Sequence, residues 1–178
     1  MTQTSPEFSR PVRVDTIGST PRNLSIAAEG EERRRLAGRF GLVELLQLEA
    51  DATLVAEAAG IRAEGWMRGA AVQSCVATGE PIPASVEARF RLLFAPADTL
   101  GGDDEIELSE QDCDTIPYEG GVIDLGEAVA ETLALELNPF PRLPDADQRL
   151  REAGVVGEEE VGAFSALSAL RAKLGGDA

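Results

Sequence analysis

From Leu42 to Phe94 the apolar residues recur at every second position, through LVELLQLEADATLVAEAAG, IRAEGWMRGAAVQSC and ASVEARFRLLF. A period of two over segments this long commits the middle of the chain to half-buried β-strands and excludes an all-helical fold. The last segment is the clearest. Val86, Ala88, Phe90, Leu92 and Phe94 fall on one face, and Ser85, Glu87, Arg89 and Arg91 on the other. Strands with one apolar and one polar face form antiparallel sheets covered on one side. Ala59-Gly60 and Thr78-Gly79-Glu80-Pro81 supply the turns, so the spacing predicts a three-stranded meander.

The flanks obey other rules. Residues 11–28 read as two short extended segments, carrying Val12 and Val14, then Leu24 and Ile26, around a turn at residues 18–21. A charge-rich stretch follows, with Leu36 and Phe40 four apart and Gly41 as the stop, which predicts a helix from about Glu29 to Phe40. A second helix is predicted over residues 124–137. Asp124 caps it, Glu127 completes a capping box, and Leu125, Ala128, Val129, Leu133 and Leu137 form the stripe that lies on the sheet. Asn138-Pro139 ends it.

These elements define an α+β domain over residues 1–143: an antiparallel meander, flat or curled into a partial barrel, with a helix packed on it. Residues 144–160 are polar and acidic and read as a loose linker. Residues 161–178 carry Phe164, Leu167, Leu170 and Leu174 at helical spacing, a C-terminal helix too short to stand alone that docks on its own domain or on a partner.

Charge is distributed unevenly. Residues 1–95 hold eleven arginines against twelve acidic residues, whereas residues 96–178 hold five basic residues against twenty acidic ones. The second half therefore repels phosphate backbones and attracts basic proteins. Its densest part, Gly101 to Gly121, includes Asp103, Asp104, Glu105, Glu107, Asp112 and Asp114 and reads as a long solvated loop without the register of a calcium-binding loop. These six are the candidate residues for holding a basic partner.

Histidine is absent from the chain. Serine and cysteine nucleophiles paired with histidine are thereby excluded, and an intramolecular zinc site would have only Cys75, Cys113 and carboxylates. Cys113 lies between Asp112 and Asp114, which raise its pKa, and Cys75 reads as a small core residue. No phosphate-cradling glycine loop or dinucleotide fingerprint is present. The expectation is a protein without catalytic residues, metal or cofactor. A second group, Arg62, Arg68, Arg89 and Arg91 beside Trp66 on adjacent strands, either stacks nucleobases or pairs with Glu64 and Glu87 on a solvent face. No apolar run is long enough for a membrane helix, and the start lacks a secretory core, so a cytoplasmic protein is expected.

The order of a meander ending in Cys75-Val-Ala-Thr-Gly-Glu-Pro, the VEARFRLLF strand, an acidic stretch ending near Tyr118-Glu-Gly, Ile123-Asp-Leu-Gly-Glu with Glu131, Leu133 and Leu135, Pro139-Phe-Pro, and Phe164-Ser-Ala-Leu-Ser-Ala-Leu resembles the YceD family across residues 9–174. Those are bacterial and plastid proteins associated with accumulation of the large ribosomal RNA. The resemblance implies a non-enzymatic factor in large-subunit biogenesis whose acidic half binds a basic ribosomal or assembly protein, with at most limited ribosomal RNA contact through the arginine-bearing strands. Two rival readings stay open: a carboxylate-dependent metal nuclease built on Asp103, Asp104, Asp112 and Asp114, and an acidic nucleic-acid mimic. Many members carry a second cysteine where this chain has Thr78, and some a further pair where it has residues 142–147; any metal held there in relatives is lost here.

Overall fold

The computed structural model describes residues 6–99 and 114–155. The three alternating segments form β3 (Glu44–Glu57), β4 (Gly60–Ser74) and β5 (Pro81–Pro96), an antiparallel meander as predicted. The two early segments are β1 (Pro11–Arg13) and β2 (Arg22–Ala27). β2 adds to the outer side of β3, while β1 leaves the sheet and pairs with β7 (Val122–Asp124), over a hundred positions away, as a separate ribbon. The main sheet runs β2-β3-β4-β5-β6 and stays open, with β2 and β6 at its edges.

β6 (Asp114–Tyr118) corrects the sequence reading of residues 101–121 as loop throughout. It lies parallel to β5, matching Leu92 to Asp114 and Pro96 to Tyr118. Ile116 and Tyr118 alternate toward the core, and Pro117 is tolerated because an edge strand needs no donor on its outer side.

Two helices cover one face of the sheet: α1 (Gly30–Arg39) packs on β3, and α2 (Leu125–Glu136) packs on β4 and β5. A single apolar cluster joins Leu36 of α1, Leu125, Val129 and Leu133 of α2, and Leu48, Leu54, Met67, Phe90 and Phe94 of the strands. The predicted α2 stripe is buried along its length. Gly69 makes the close packing possible, since a Cβ there would stand 2.5 Å from Leu133 Cδ1.

The helix starts differ from expectation in one detail. Asp124 caps α2 by accepting from the Gly126 and Glu127 amides. The Glu127 carboxylate does not close a capping box; it pairs with Arg39 of α1 at 2.7 Å, because a cation from the neighbouring helix is within its reach. The complete capping box is at α1, between Glu29 and Glu32. Asp124 also holds the start of the chain, accepting from Ser9 Oγ at 2.5 Å and the Arg10 amide at 2.8 Å. Phe8 is fully buried beside it.

Within residues 144–160, read from sequence as a loose linker, Ala146–Glu152 form α3. Its start is buried through Ala146, and Arg149 ties it to Asp145 and to Glu80 at the β4–β5 turn. The predicted C-terminal helix lies outside the described residues.

Candidate functional site

β6 accompanies β5 only from Leu92 onward, so the side of β5 facing away from β4 has no strand partner over Pro81–Arg91 among the described residues. Where β6 begins, a groove of about 280 Å³ opens between this edge and α2. Its floor is apolar, made by Phe90, Leu92, Ile116 and Ala128, and Asp114, Glu131 and Glu136 stand around it. Leu135, 81% exposed, projects into the same space. On the other side of β6 a second depression of about 290 Å³ is lined by Tyr118, Glu119, Ile123, Glu127 and again Glu131.

Besides Asp124, which is engaged in capping α2, five carboxylates line these two hollows. Glu127 is neutralised by Arg39, whose guanidinium is pushed up by that hydrogen bond and by the one to Glu7. Asp114, Glu119, Glu131 and Glu136 take part in no ion pair among the described residues. Arg89 and Arg91 also line the groove, but Arg91 is taken up by Glu64 at 3.0 Å and Arg89 approaches the same carboxylate at 4.0 Å. The acids are thus its unpaired charge, and such charge along a low-dielectric wall raises the local concentration of counter-charged groups. Leu135 adds one exposed apolar side chain among those acids. The chemistry suits a lysine- or arginine-rich segment that also presents an apolar side chain.

The residues singled out from sequence divide into three groups. Asp114, Arg89 and Arg91 meet at the groove. Arg62 and Arg68 lie further along the uncovered sheet face, around Trp66, which is 51% exposed and sits opposite Asp51 on β3 and Arg89 on β5. Asp103, Asp104, Glu105, Glu107 and Asp112 lie outside the described residues.

On the uncovered face the arginines are bound to carboxylates. Arg62 contacts Glu57 at 2.5 Å and Glu64 at 2.7 Å, Arg91 reaches Glu64 at 3.0 Å, and Arg68 bridges Glu49 and Glu87 at 3.3 and 3.6 Å. Arg89 is held least, 4.0 Å from Glu64. The Glu64 carboxyl is kept below the usual range, first by the hydrogen bond from Arg62 and then by the charges of Arg62, Arg91 and Arg89. This is the cross-strand pairing of mixed charge, and it leaves little free cation for phosphate.

Glu119, Glu131, Leu135 and Glu136 were not among the sequence candidates. A signal existed for three of them. Glu131 and Leu135 are four apart and Glu136 is adjacent, all off the stripe of Leu125, Val129 and Leu133, so an apolar residue lay exposed on an acidic helix face.

The cysteine positions of the resemblance also come together. The Val76 amide donates to the Pro141 carbonyl at 2.8 Å, and the Leu143 amide approaches Cys75 Sγ at 3.5 Å. Thr78, the Cys75 thiol and residues 142 and 143 therefore share one corner. One thiol, one hydroxyl and amide donors do not fit a zinc site, which needs three or four thiolate or imidazole ligands. The Cys75 thiol is lowered to about 7, chiefly by the Thr78 hydrogen bond and then by the Leu143, Ala77 and Thr78 amides, with burial opposing.

Together the open-edged sheet and its helical cover define an α+β protein with an acid-lined groove beside α2. No helix among the described residues is long and apolar enough to cross a membrane. Over residues 63–171 the chain matches the family model described as large ribosomal RNA subunit accumulation protein YceD, and it belongs to that family. No curated protein and no solved structure matches it.

Proposed function

We propose that this chain supports biogenesis of the large ribosomal subunit as a binding protein rather than a catalyst, holding a basic ribosomal or assembly protein in the groove beside α2. Membership of the YceD family supports the large-subunit role. The observation that carries the finer reading is the groove itself: Asp114, Glu131 and Glu136, without ion-pair partners among the described residues, around an apolar floor and an exposed Leu135. Asp103, Asp104, Glu105, Glu107 and Asp112, the other acids singled out from the sequence for a basic partner, precede Asp114 in the chain. Ribosomal RNA contact is secondary in this reading and falls to Arg89 and Trp66, the least neutralised cation and the exposed ring on the uncovered face.

The test replaces Asp114→Asn, Glu131→Gln and Glu136→Gln together. These side chains make no ion pairs among the described residues, so stability should stay within about 0.5 kcal/mol of the parent. In cells depleted of the protein, the parent chain restores the large-subunit peak on sedimentation and the amount of its RNA, and the variant does not. Purified, the variant binds basic large-subunit proteins more weakly, with a shallower salt dependence. Full rescue by the variant would remove the groove from the function, and binding to every cationic protein alike would point to the mimic reading instead.

A further inference from the structure

At the edge of the sheet opposite β6, a hollow of about 350 Å³ lies between β2 and the β1 stretch. Its floor is aliphatic, made by Val12, Leu24, Ile26 and Leu125, and its charged lining is Arg10, Arg13 and Arg22. No carboxylate is among the described residues that line it, in a chain with two acidic residues for every basic one.

The three arginines are held differently. Arg10 is committed, donating to both Glu32 oxygens at 2.6 and 2.8 Å and to the Ala27 carbonyl at 2.9 Å. Arg13 meets Asp15 at 2.5 Å, but the two side chains are 72% and 61% exposed, so water competes for both and the pair contributes little. Arg22 has no ion pair among the described residues. Its Nη1 donates to Thr16 Oγ1 at 2.9 Å, and that hydroxyl donates in turn to the Arg13 carbonyl at 2.7 Å. A neutral group thus fixes the guanidinium at the hollow without cancelling its charge.

The backbone beside it is open as well. The Ala28 amide donates to the Leu48 carbonyl at 2.9 Å, and the direction of main-chain hydrogen bonding alternates along an antiparallel strand. Asn23, Ser25 and Ala27 therefore turn their main-chain groups away from β3. Arg10 takes the Ala27 carbonyl; those of Asn23 and Ser25, both exposed residues, have no partner among the described residues. An unpaired strand edge is a template for another extended chain.

We infer that the β2 edge takes an extended acidic segment of a partner protein. The segment's main chain pairs with Asn23 and Ser25, an aliphatic side chain settles on Leu24 and Ile26, and a carboxylate two residues along, on the same face, reaches Arg22 and Arg13. RNA suits the hollow less well, because no aromatic ring lines it for a base to stack on. This surface and the acidic groove stand at opposite edges of the sheet, so the inference does not depend on what the groove binds.

The experiment titrates the isotope-labelled full chain with a capped peptide of repeating Val-Thr-Glu-Thr, with the same peptide carrying lysine for glutamate, and with oligouridylate. The glutamate peptide should shift the amide signals of residues 10–16 and 22–27 and slow solvent exchange of the Ser25 amide several-fold. Arg22→Gln should weaken its binding about tenfold, the loss of one charge-assisted contact. Ser25→Pro, which removes an outward donor and which an edge strand tolerates, should weaken it comparably. No shift at millimolar peptide, equal binding of the lysine peptide, undiminished binding in either variant, or tighter binding of oligouridylate at the same residues would each overturn the inference, the last by assigning the arginines to phosphate.

Discussion

Asp124 gives the sharpest test of how the fold is locked, because one carboxylate holds two parts of the chain. Its Oδ1 accepts from the amides of Arg10, Gly126 and Glu127 at 2.8, 3.0 and 3.1 Å, and its Oδ2 accepts from Ser9 Oγ. Replacing Asp124→Ala removes a helix cap, about 1 kcal/mol, and two long-range hydrogen bonds to a charged, part-buried acceptor, about 1.5 kcal/mol each. The expected total is about 4 kcal/mol, or roughly 8–16 °C in Tm for a chain of this size. Asp124→Asn keeps an oxygen for the three amides and places its NH2 beside Ser9 Oγ, which can accept, so its cost should stay near 1 kcal/mol. Thermal and urea unfolding of the full chain, followed by far-UV circular dichroism, measures both. Ser9→Ala adds the internal check: combined with Asp124→Ala it should cost little more than Asp124→Ala alone, since both remove one interaction. Equal losses for alanine and asparagine, or an alanine loss below about 1 kcal/mol, would refute the assignment of Asp124 as a joint cap and anchor.

The same anchor is exposed to a steric test. A Cβ on Gly126 would stand 2.4 Å from the Phe8 carbonyl oxygen and 2.9 Å from the Arg10 amide nitrogen, so Gly126→Ala should free the start of the chain, read as loss of amide-exchange protection at residues 8–13; unchanged protection would contradict the packing. The Glu32 carboxyl is held below its usual range of about 4.5, first by the Arg10 hydrogen bond. A carboxylate whose pKa is depressed on folding stabilises above its unfolded pKa and loses that contribution as pH falls through the folded value. The parent should therefore be more stable than Glu32→Gln at pH 7, with the gap closing below about pH 4.5. A gap that persists unchanged at pH 3 would dismiss the pair as the cause. In a Cys113→Ser background, Thr78→Val should raise the Cys75 midpoint from about 7 toward 9, followed by thiolate absorbance; an unmoved midpoint would transfer the effect to the backbone amides.

Local pattern and long-range pairing were legible to different degrees. The meander could be read because Val86 to Phe94 bury alternate side chains against a single cluster, and a period of two survives any choice of neighbour. The α2 stripe and its Asp124 cap were legible for the same reason, being properties of twelve consecutive residues. What escaped was pairing between distant segments. Nothing within Pro11–Arg13 names Val122–Asp124 as its partner, and a five-residue strand containing Pro117 looks like loop until Leu92 is laid beside Asp114. In α3 only Ala146 is buried, so no stripe announces the helix, and it rests on Arg149 reaching a turn 69 positions away. The arginines beside Trp66 were read as either platform or paired lattice, and the contacts to Glu57, Glu64, Glu49 and Glu87 fit the second. The groove was half visible: Asp114, Arg89 and Arg91 were candidates, but their meeting with Glu131 and Leu135 required the parallel strand that the sequence concealed.

The β1–β7 ribbon orders events in time as well as in space. Ser9 and Arg10 are synthesised long before Asp124, which accepts their hydrogen bonds and follows them by 115 and 114 residues. The meander, whose strands follow one another closely, can assemble while this leading stretch still waits; closing so wide a loop adds an entropic cost that local hairpins avoid. A nascent chain stopped before residue 122 would thus carry a formed sheet with a naked hydrophobic flank where Phe8 and α2 belong. During that interval it would be a substrate for chaperones, and protease treatment of stalled chains should cut near residue 10 until Asp124 has emerged.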